Sequence, residues 1–187
     1  MSRYLEWARR RPSTRLLVLT LILAGGVFLA GVPMLIAVAA DRMDQALGLP
    51  GFGSPAATIA GVLLVTGGGS LGLWSVLVQV RLGRGTPVPM APTQRLVVSP
   101  PYTYCRNPMV LGTVIVYFGV AVWLGSLSAI TLVLVIATLL LVYAKALEEA
   151  ELEARFGIEY LEYKRATPFL IPHFAKRPRQ RRRTPAP

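Results

Sequence analysis

The sequence predicts an all-α integral membrane protein with four transmembrane helices, the last two forming a C-terminal helical hairpin, and with no Rossmann fold. Three observations carry this. The 187 residues are 53% hydrophobic and only 16% charged, with a mean hydropathy of +0.53, too apolar for a soluble domain of this length. Uncharged runs extend from Leu16 to Ala40, Ala46 to Val80 and Asn107 to Ala144. The charge is lopsided, 20 Lys+Arg against 9 Asp+Glu for a net +11, and it lies between the runs. A single Cys excludes an internal disulfide and a cysteine-rich zinc site, and one His argues against a histidine centre, so no metal is expected.

A spanning helix needs roughly 20 apolar residues to cross about 30 Å of hydrocarbon. Leu16–Ala40 meets this. It follows five arginines, as a signal peptide would, but exceeds the usual apolar core of about 7–15 residues and reads as a first span. The second run opens with Gly48, Pro50, Gly51, Gly53 and Pro55, a loop composition, and suits a helix only from about Ala56 to Val80. Its Thr66-Gly67-Gly68-Gly69-Ser70 segment reads as a close helix–helix contact rather than a phosphate loop, since no Lys follows. Asn107–Ala144 would be roughly 57 Å long as one helix, so it must turn back. Trp123-Leu124-Gly125-Ser126-Leu127-Ser128 supplies the turn, which splits the run into Met109 to about Leu124 and about Leu127 to Lys145.

With four spans, nineteen of the twenty basic residues fall on one face and only Arg42 on the other. That face is expected to be cytoplasmic, with both termini there and the protein in the cytoplasmic (inner) membrane. The chain then divides into a basic N-terminus (1–15), two helices with a short external loop (16–80), a core of cytoplasmic loop, hairpin and C-terminal segment (81–173), and a basic tail (174–187). The basic termini suit anionic lipid headgroups. Nucleic acid is not expected, because no aromatic residues interleave with the tail.

Polar residues concentrate in Arg81–Pro108 and Lys145–His173, and the hairpin brings these segments together at one membrane surface. Two interfacial loops with solvated or mutually paired charges would account for this; several details point to a site. Arg106-Asn107-Pro108 puts a guanidinium and an amide before a helix start, with Asn107 as cap and Pro108 in the first turn. Backbone N–H groups there favour a carboxylate or phosphate. On the returning helix, Lys145 pairs with Glu149 and Glu151 with Arg155 at i,i+4, leaving Glu148 without a partner and Glu151 on an exposed face. An acid at the membrane edge suits a cation. Together these features suit a ligand with one anionic and one cationic end. The helix is expected to stop at Phe156-Gly157, after which Tyr160 and Tyr163 share a face, either as an interfacial anchor or as a pocket wall. Cys105 lies beside Arg106, which would lower its pKa, yet it has no partner for thiol chemistry; it and His173 are expected to be inert.

Taken in order, Gly83-Arg84-Gly85-Thr86-Pro87, Leu96-Val97-Val98-Ser99, Pro101-Tyr102, Arg106-Asn107-Pro108-Met109 with Gly112, Glu148-Glu149, Leu152, Phe156-Gly157, Tyr160, Tyr163, Pro168 and Ile171-Pro172 resemble the isoprenylcysteine carboxyl methyltransferase family, of the bacterial phospholipid/isoprenylcysteine methyltransferase type. The resemblance implies a methyltransferase core at 81–173 that transfers a methyl group from S-adenosylmethionine to a lipophilic acceptor arriving from the bilayer. It also implies a cytoplasmic cofactor pocket closed by the loop before the hairpin and by the C-terminal segment. Carried over by position, the cofactor would meet Gln94, Arg95, Leu96, Val97, Tyr102, Asn107, Pro108, Met109, Val110 and Glu148. Arg106, Lys145 and Glu148 would serve the reaction, with Arg106 or Lys145 steering an anionic acceptor. Pro100, Val110, Ala144 and Ala166 depart from the family pattern. Two other functions compete: a non-enzymatic membrane scaffold or lipid-binding protein of the same architecture, and an NADPH-dependent membrane reductase. The reductases carry Asn-Tyr and Gly-Glu where this chain has Met109-Val110-Leu111-Gly112-Thr113.

Overall fold

The structure is a computed structural model that describes residues 13–85 and 93–172. Most of the N-terminal basic segment, Thr86-Pro87, His173 and the basic tail lie outside the described residues. No strand occurs among those described. The chain forms α1 (Thr14–Leu47), α2 (Pro55–Gly83), α3 (Pro108–Leu124), α4 (Leu127–Phe156) and α5 (Ile158–Ala166). Helices α1, α2 and α4 are long and apolar enough to cross a membrane. Helix α3 has 17 apolar residues, about 26 Å at the usual rise.

The helix ends follow local chemistry. Ser13, Ser54 and Ser126 each cap a helix start by accepting a backbone N–H, and Pro55 and Pro108 occupy first turns. Gly48 and Gly125 end α1 and α3 at φ 61°, a conformation that favours glycine. Helix α1 therefore runs past Ala40 to Leu47, and its Asp41–Asp44 turn projects beyond the apolar run. There Asp44 accepts hydrogen bonds from the Ser126 hydroxyl and the Ser128 N–H at the start of α4. The Phe52 N–H donates to the Gly125 carbonyl at 2.9 Å, so the α1–α2 loop and the α3–α4 turn meet at one end of the molecule.

Helix α2 packs most extensively on α3, and glycines set that contact. A Cβ on Gly61 would lie 2.7 Å from the Gly119 carbonyl oxygen, and one on Gly68 would lie 2.7 Å from that of Gly112. The glycine run is a packing surface within a continuous helix, as small residues provide where lipid leaves no hydrophobic drive between helices. Ile36, Ala40, Val116, Tyr117, Ala121, Ala129 and Val133 form the core between α1, α3 and α4. Outward residues such as Ile22, Leu35, Leu63 and Leu139 are apolar and exposed. Hydroxyls of Thr20, Thr66, Ser70, Thr131 and Thr138 bond back to preceding carbonyls of their own helices, so they leave no unmet polar group in hydrocarbon. A π-helical turn at Val27–Gly31 interrupts α1, and there the Tyr117 hydroxyl donates to the Phe28 carbonyl at 2.9 Å.

Candidate functional site

The opposite end of the molecule collects the polar segments. Helix α4 loses its apolar character after Tyr143, makes a π-helical turn at Ala144–Glu148, and continues as Glu149–Phe156. Its apolar part is thus Leu127–Tyr143, and the acidic turns stand beyond it. Gly157 at φ 55° ends it and α5 folds back. The segment 93–107 packs against both. The Arg106 N–H donates to the Pro168 carbonyl at 2.9 Å, and the Asn107 N–H to that of Phe169 at 3.2 Å. The Tyr163 hydroxyl donates to the Tyr102 carbonyl at 2.7 Å, and the Tyr102 hydroxyl to that of Ser75 at 3.3 Å.

Between these elements lies a cleft of about 90 Å³ lined by Gln79, Thr93, Leu96, Val97, Tyr102, Arg106, Asn107, Met109, Val110, Tyr143, Glu148, Glu149, Glu151, Leu152, Arg155, Tyr160 and Tyr163. Two neighbouring acids have unlike surroundings. Glu149 is buried, with Arg106 Nη2 at 2.9 Å, Lys164 Nζ at 3.0 Å and Lys145 Nζ at 3.5 Å from its oxygens. Glu148 makes no ion pair among the described residues. Burial, then the adjacent Glu151 and Glu149 charges, push its carboxyl up to about 7. Burial also raises the Tyr102 and Tyr160 hydroxyls, so both stay neutral at ordinary pH. Besides the ion-paired Glu149 oxygens, three buried side-chain atoms have no hydrogen-bond partner among the described residues: Thr103 Oγ1, Arg106 Nε, a donor, and Gln79 Oε1, an acceptor.

Of the expected site residues, Leu96, Val97, Tyr102, Arg106, Asn107, Met109, Val110 and Glu148 line the cleft together, while Gln94, Arg95, Pro108 and Lys145 do not. Arg95 is exposed and Pro108 is buried in the first turn of α3. The Lys145 side chain is 57% exposed, with its ammonium 5.0 Å from the centre of the Phe169 ring. Three expectations are corrected. Asn107 makes no side-chain cap; its Nδ2 donates instead to the Phe169 carbonyl at 3.2 Å, which holds the amide toward the C-terminal segment and not over the helix N–H groups. Glu151 pairs with Arg155 at 3.0 Å as expected, but both line the cleft rather than an exposed face. Cys105 has its thiol pKa raised, not lowered, by burial, since Arg106 turns toward Glu149. Tyr160 and Tyr163 are buried in an edge-on pair with centroids 6.1 Å apart, a pocket wall rather than an interfacial anchor. Gln79, Thr93 and Tyr143 also line the cleft and carry no signal in spacing or motif.

A family model described as phospholipid methyltransferase matches residues 56–159. No curated protein and no solved structure matches the chain. The match spans α2, the 93–107 segment, α3 and α4, which supply the cleft lining except for Tyr160 and Tyr163 of α5.

Proposed function

Since this chain belongs to the phospholipid methyltransferase family, and is a multi-pass membrane protein of methyltransferase type, we propose that it uses S-adenosylmethionine to methylate a lipophilic acceptor, with a cofactor site like that of the isoprenylcysteine carboxyl methyltransferases. In this reading it has four spans, with the cleft and both termini on the cytoplasmic side of the inner membrane. The observation that carries it is the pair of unlike unmet groups in one cleft. Glu148 is an acid without a cation, and Arg106 Nε is a buried donor without an acceptor.

That donor set fits the cofactor, which bears a carboxylate at one end and an ammonium and a sulfonium nearby. Glu148 would meet the positive charge, and the free N–H of Arg106 the carboxylate. Leu96, Val97, Leu152 and the tyrosine pair Tyr160/Tyr163 would form the apolar wall for the nucleoside. About 90 Å³ holds several waters, so side chains along the wall must turn aside to admit a nucleoside. When bound, the cofactor supplies a methyl group on a sulfonium that already carries its leaving group. This chain's residues bind and orient it, exclude water, and align a nucleophile arriving from the bilayer. Glu149 anchors Arg106 in place, and Lys145 serves that same anchor from outside.

The test is titration of the protein in lipid nanodiscs with S-adenosylmethionine and with S-adenosylhomocysteine, which lacks the sulfonium. Glu148→Gln should weaken the first about tenfold to a hundredfold, as expected for a charge-assisted contact, and the second much less. No binding of S-adenosylmethionine to the unaltered protein at millimolar concentration overturns the proposal.

A further inference from the structure

Gln79 belongs to no part of the resemblance, yet it lines the cleft and its Oε1 is buried with no donor in reach. A buried acceptor without a partner costs about as much as a lost hydrogen bond. Such atoms are rare in folded proteins, and one buried on a cleft-lining side chain can be met when a ligand brings the donor and the side chain turns to it.

Its place in the fold indicates which ligand. Most of the cleft lining comes from the polar segments, but Gln79 and Val110 stand near the cleft-side ends of α2 and α3, and Tyr143 at the end of the apolar part of α4. These three form the floor next to the apolar helices, and the Tyr143 side is partly open, being 45% exposed. In the membrane placement proposed above, a molecule entering from the bilayer would meet this floor first. The cations of the cleft are paired, Arg106 with Glu149 and Arg155 with Glu151, and the remaining Arg106 Nε–H is assigned above to the cofactor carboxylate. What the floor offers is acceptors, Gln79 Oε1 and the carboxylate of Glu148. An ionised carboxylate on the incoming headgroup would leave Oε1 unmet and add another negative charge beside three glutamates.

We infer that Gln79 is a specificity-determining residue whose Oε1 accepts a hydrogen bond from the acceptor's headgroup, so that the acceptor carries an N–H or O–H donor at its polar end and not a bare carboxylate. The inference rests on the methyl-transfer reading above, and the two fail separately: cofactor titration tests that reading, and headgroup titration tests this one.

The experiment uses the full chain in nanodiscs, saturated with S-adenosylhomocysteine, with empty nanodiscs as the blank for partitioning. Hexadecylamine, hexadecan-1-ol and hexadecanoic acid are titrated as probes that share one tail. The amine or the alcohol should bind at least about tenfold more tightly than the acid. Gln79→Leu should abolish that preference, with S-adenosylmethionine affinity within about twofold of the unaltered protein. It should not lower the melting temperature, because it removes an unmet polar atom. Gln79→Glu keeps an acceptor oxygen and should keep the preference. Tighter binding of the acid, binding of none of the three probes, or an unchanged preference in Gln79→Leu overturns the inference. So does a loss of cofactor affinity in that variant, which would turn Gln79 toward the cofactor, or a drop in its melting temperature, which would make it structural.

Discussion

Glu148 and Glu149 are adjacent acids, and neutralising them should move stability in opposite directions. Glu149→Gln leaves the Arg106 guanidinium, 7% exposed, without its carboxylate. Removing one partner of a buried pair costs about 3–5 kcal/mol. Lys145, 57% exposed, adds little because solvent screens it, and Lys164 retains Glu153. Glu148→Gln acts the other way. Its carboxyl is raised from an ordinary 4.5 to about 7, so the folded state binds the proton more tightly than the unfolded chain does. The charged form therefore destabilises the fold, fully above about pH 7 and not at all below pH 4.5. At about 1.36 kcal/mol per pH unit, removing the charge gains up to about 3 kcal/mol at pH 8. In thermal unfolding of the detergent-solubilised protein at pH 8, Glu149→Gln should lower the melting temperature on the order of 10 °C, while Glu148→Gln should raise it or leave it. The advantage of Glu148→Gln should shrink as pH falls from 7 toward 4.5. If Glu148→Gln destabilised the protein as much as Glu149→Gln, or its effect ignored pH, the division between a free acid and an anchored one would be wrong.

Two further outcomes follow from packing and burial. Gly61→Ala should cost at least about 1–3 kcal/mol, because its Cβ would meet the Gly119 carbonyl and the Trp123 backbone below 3 Å. Gly67→Ala meets nothing within 4 Å and should be neutral or slightly stabilising; equal losses for both in a melting series would refute the α2–α3 contact. Cys105 is 1% exposed with its thiol raised by burial, so a water-soluble maleimide at pH 8 should leave the folded protein unlabelled and react only after denaturation. Rapid labelling of the native protein would mean that the 93–107 segment does not seal the site.

Much of the helix pattern is legible because hydropathy and capping read different things. The uncharged runs locate what can sit in lipid, and Ala56–Val80 falls within Pro55–Gly83. For α1 the run stops at Ala40 but the helix continues to Leu47, since charge ends membrane compatibility without ending a helix. The residue that does end it, Gly48, is visible in the sequence as a C-terminal glycine. The turn at Gly125 is legible for the same reason, and so is the meeting of Arg106 with the glutamates, which follows once a 38-residue apolar run must fold back.

What was not legible is which glutamate faces which way, and the cause is specific. Helical spacing assigns faces by assuming a constant turn of about 100° per residue. The π-helical turn at Ala144–Glu148 adds a residue to one turn, so every later side chain is rotated by about that angle from where an uninterrupted α-helix would put it. Glu151 still meets Arg155, a pair wholly beyond the turn, and Lys145, inside the turn, still reaches Glu149 at 3.5 Å. The face they occupy does not survive: Glu151 and Arg155 come round into the cleft, and Glu149 faces Arg106. The same device ends α2, where the π-helical turn Gln79–Gly83 begins at the residue whose buried carbonyl oxygen has no partner. Both turns lie where an apolar helix passes into the polar segment, and the one in α4 is the phase shift that brings Glu151 and Arg155 into the cleft and hides them from a helical wheel.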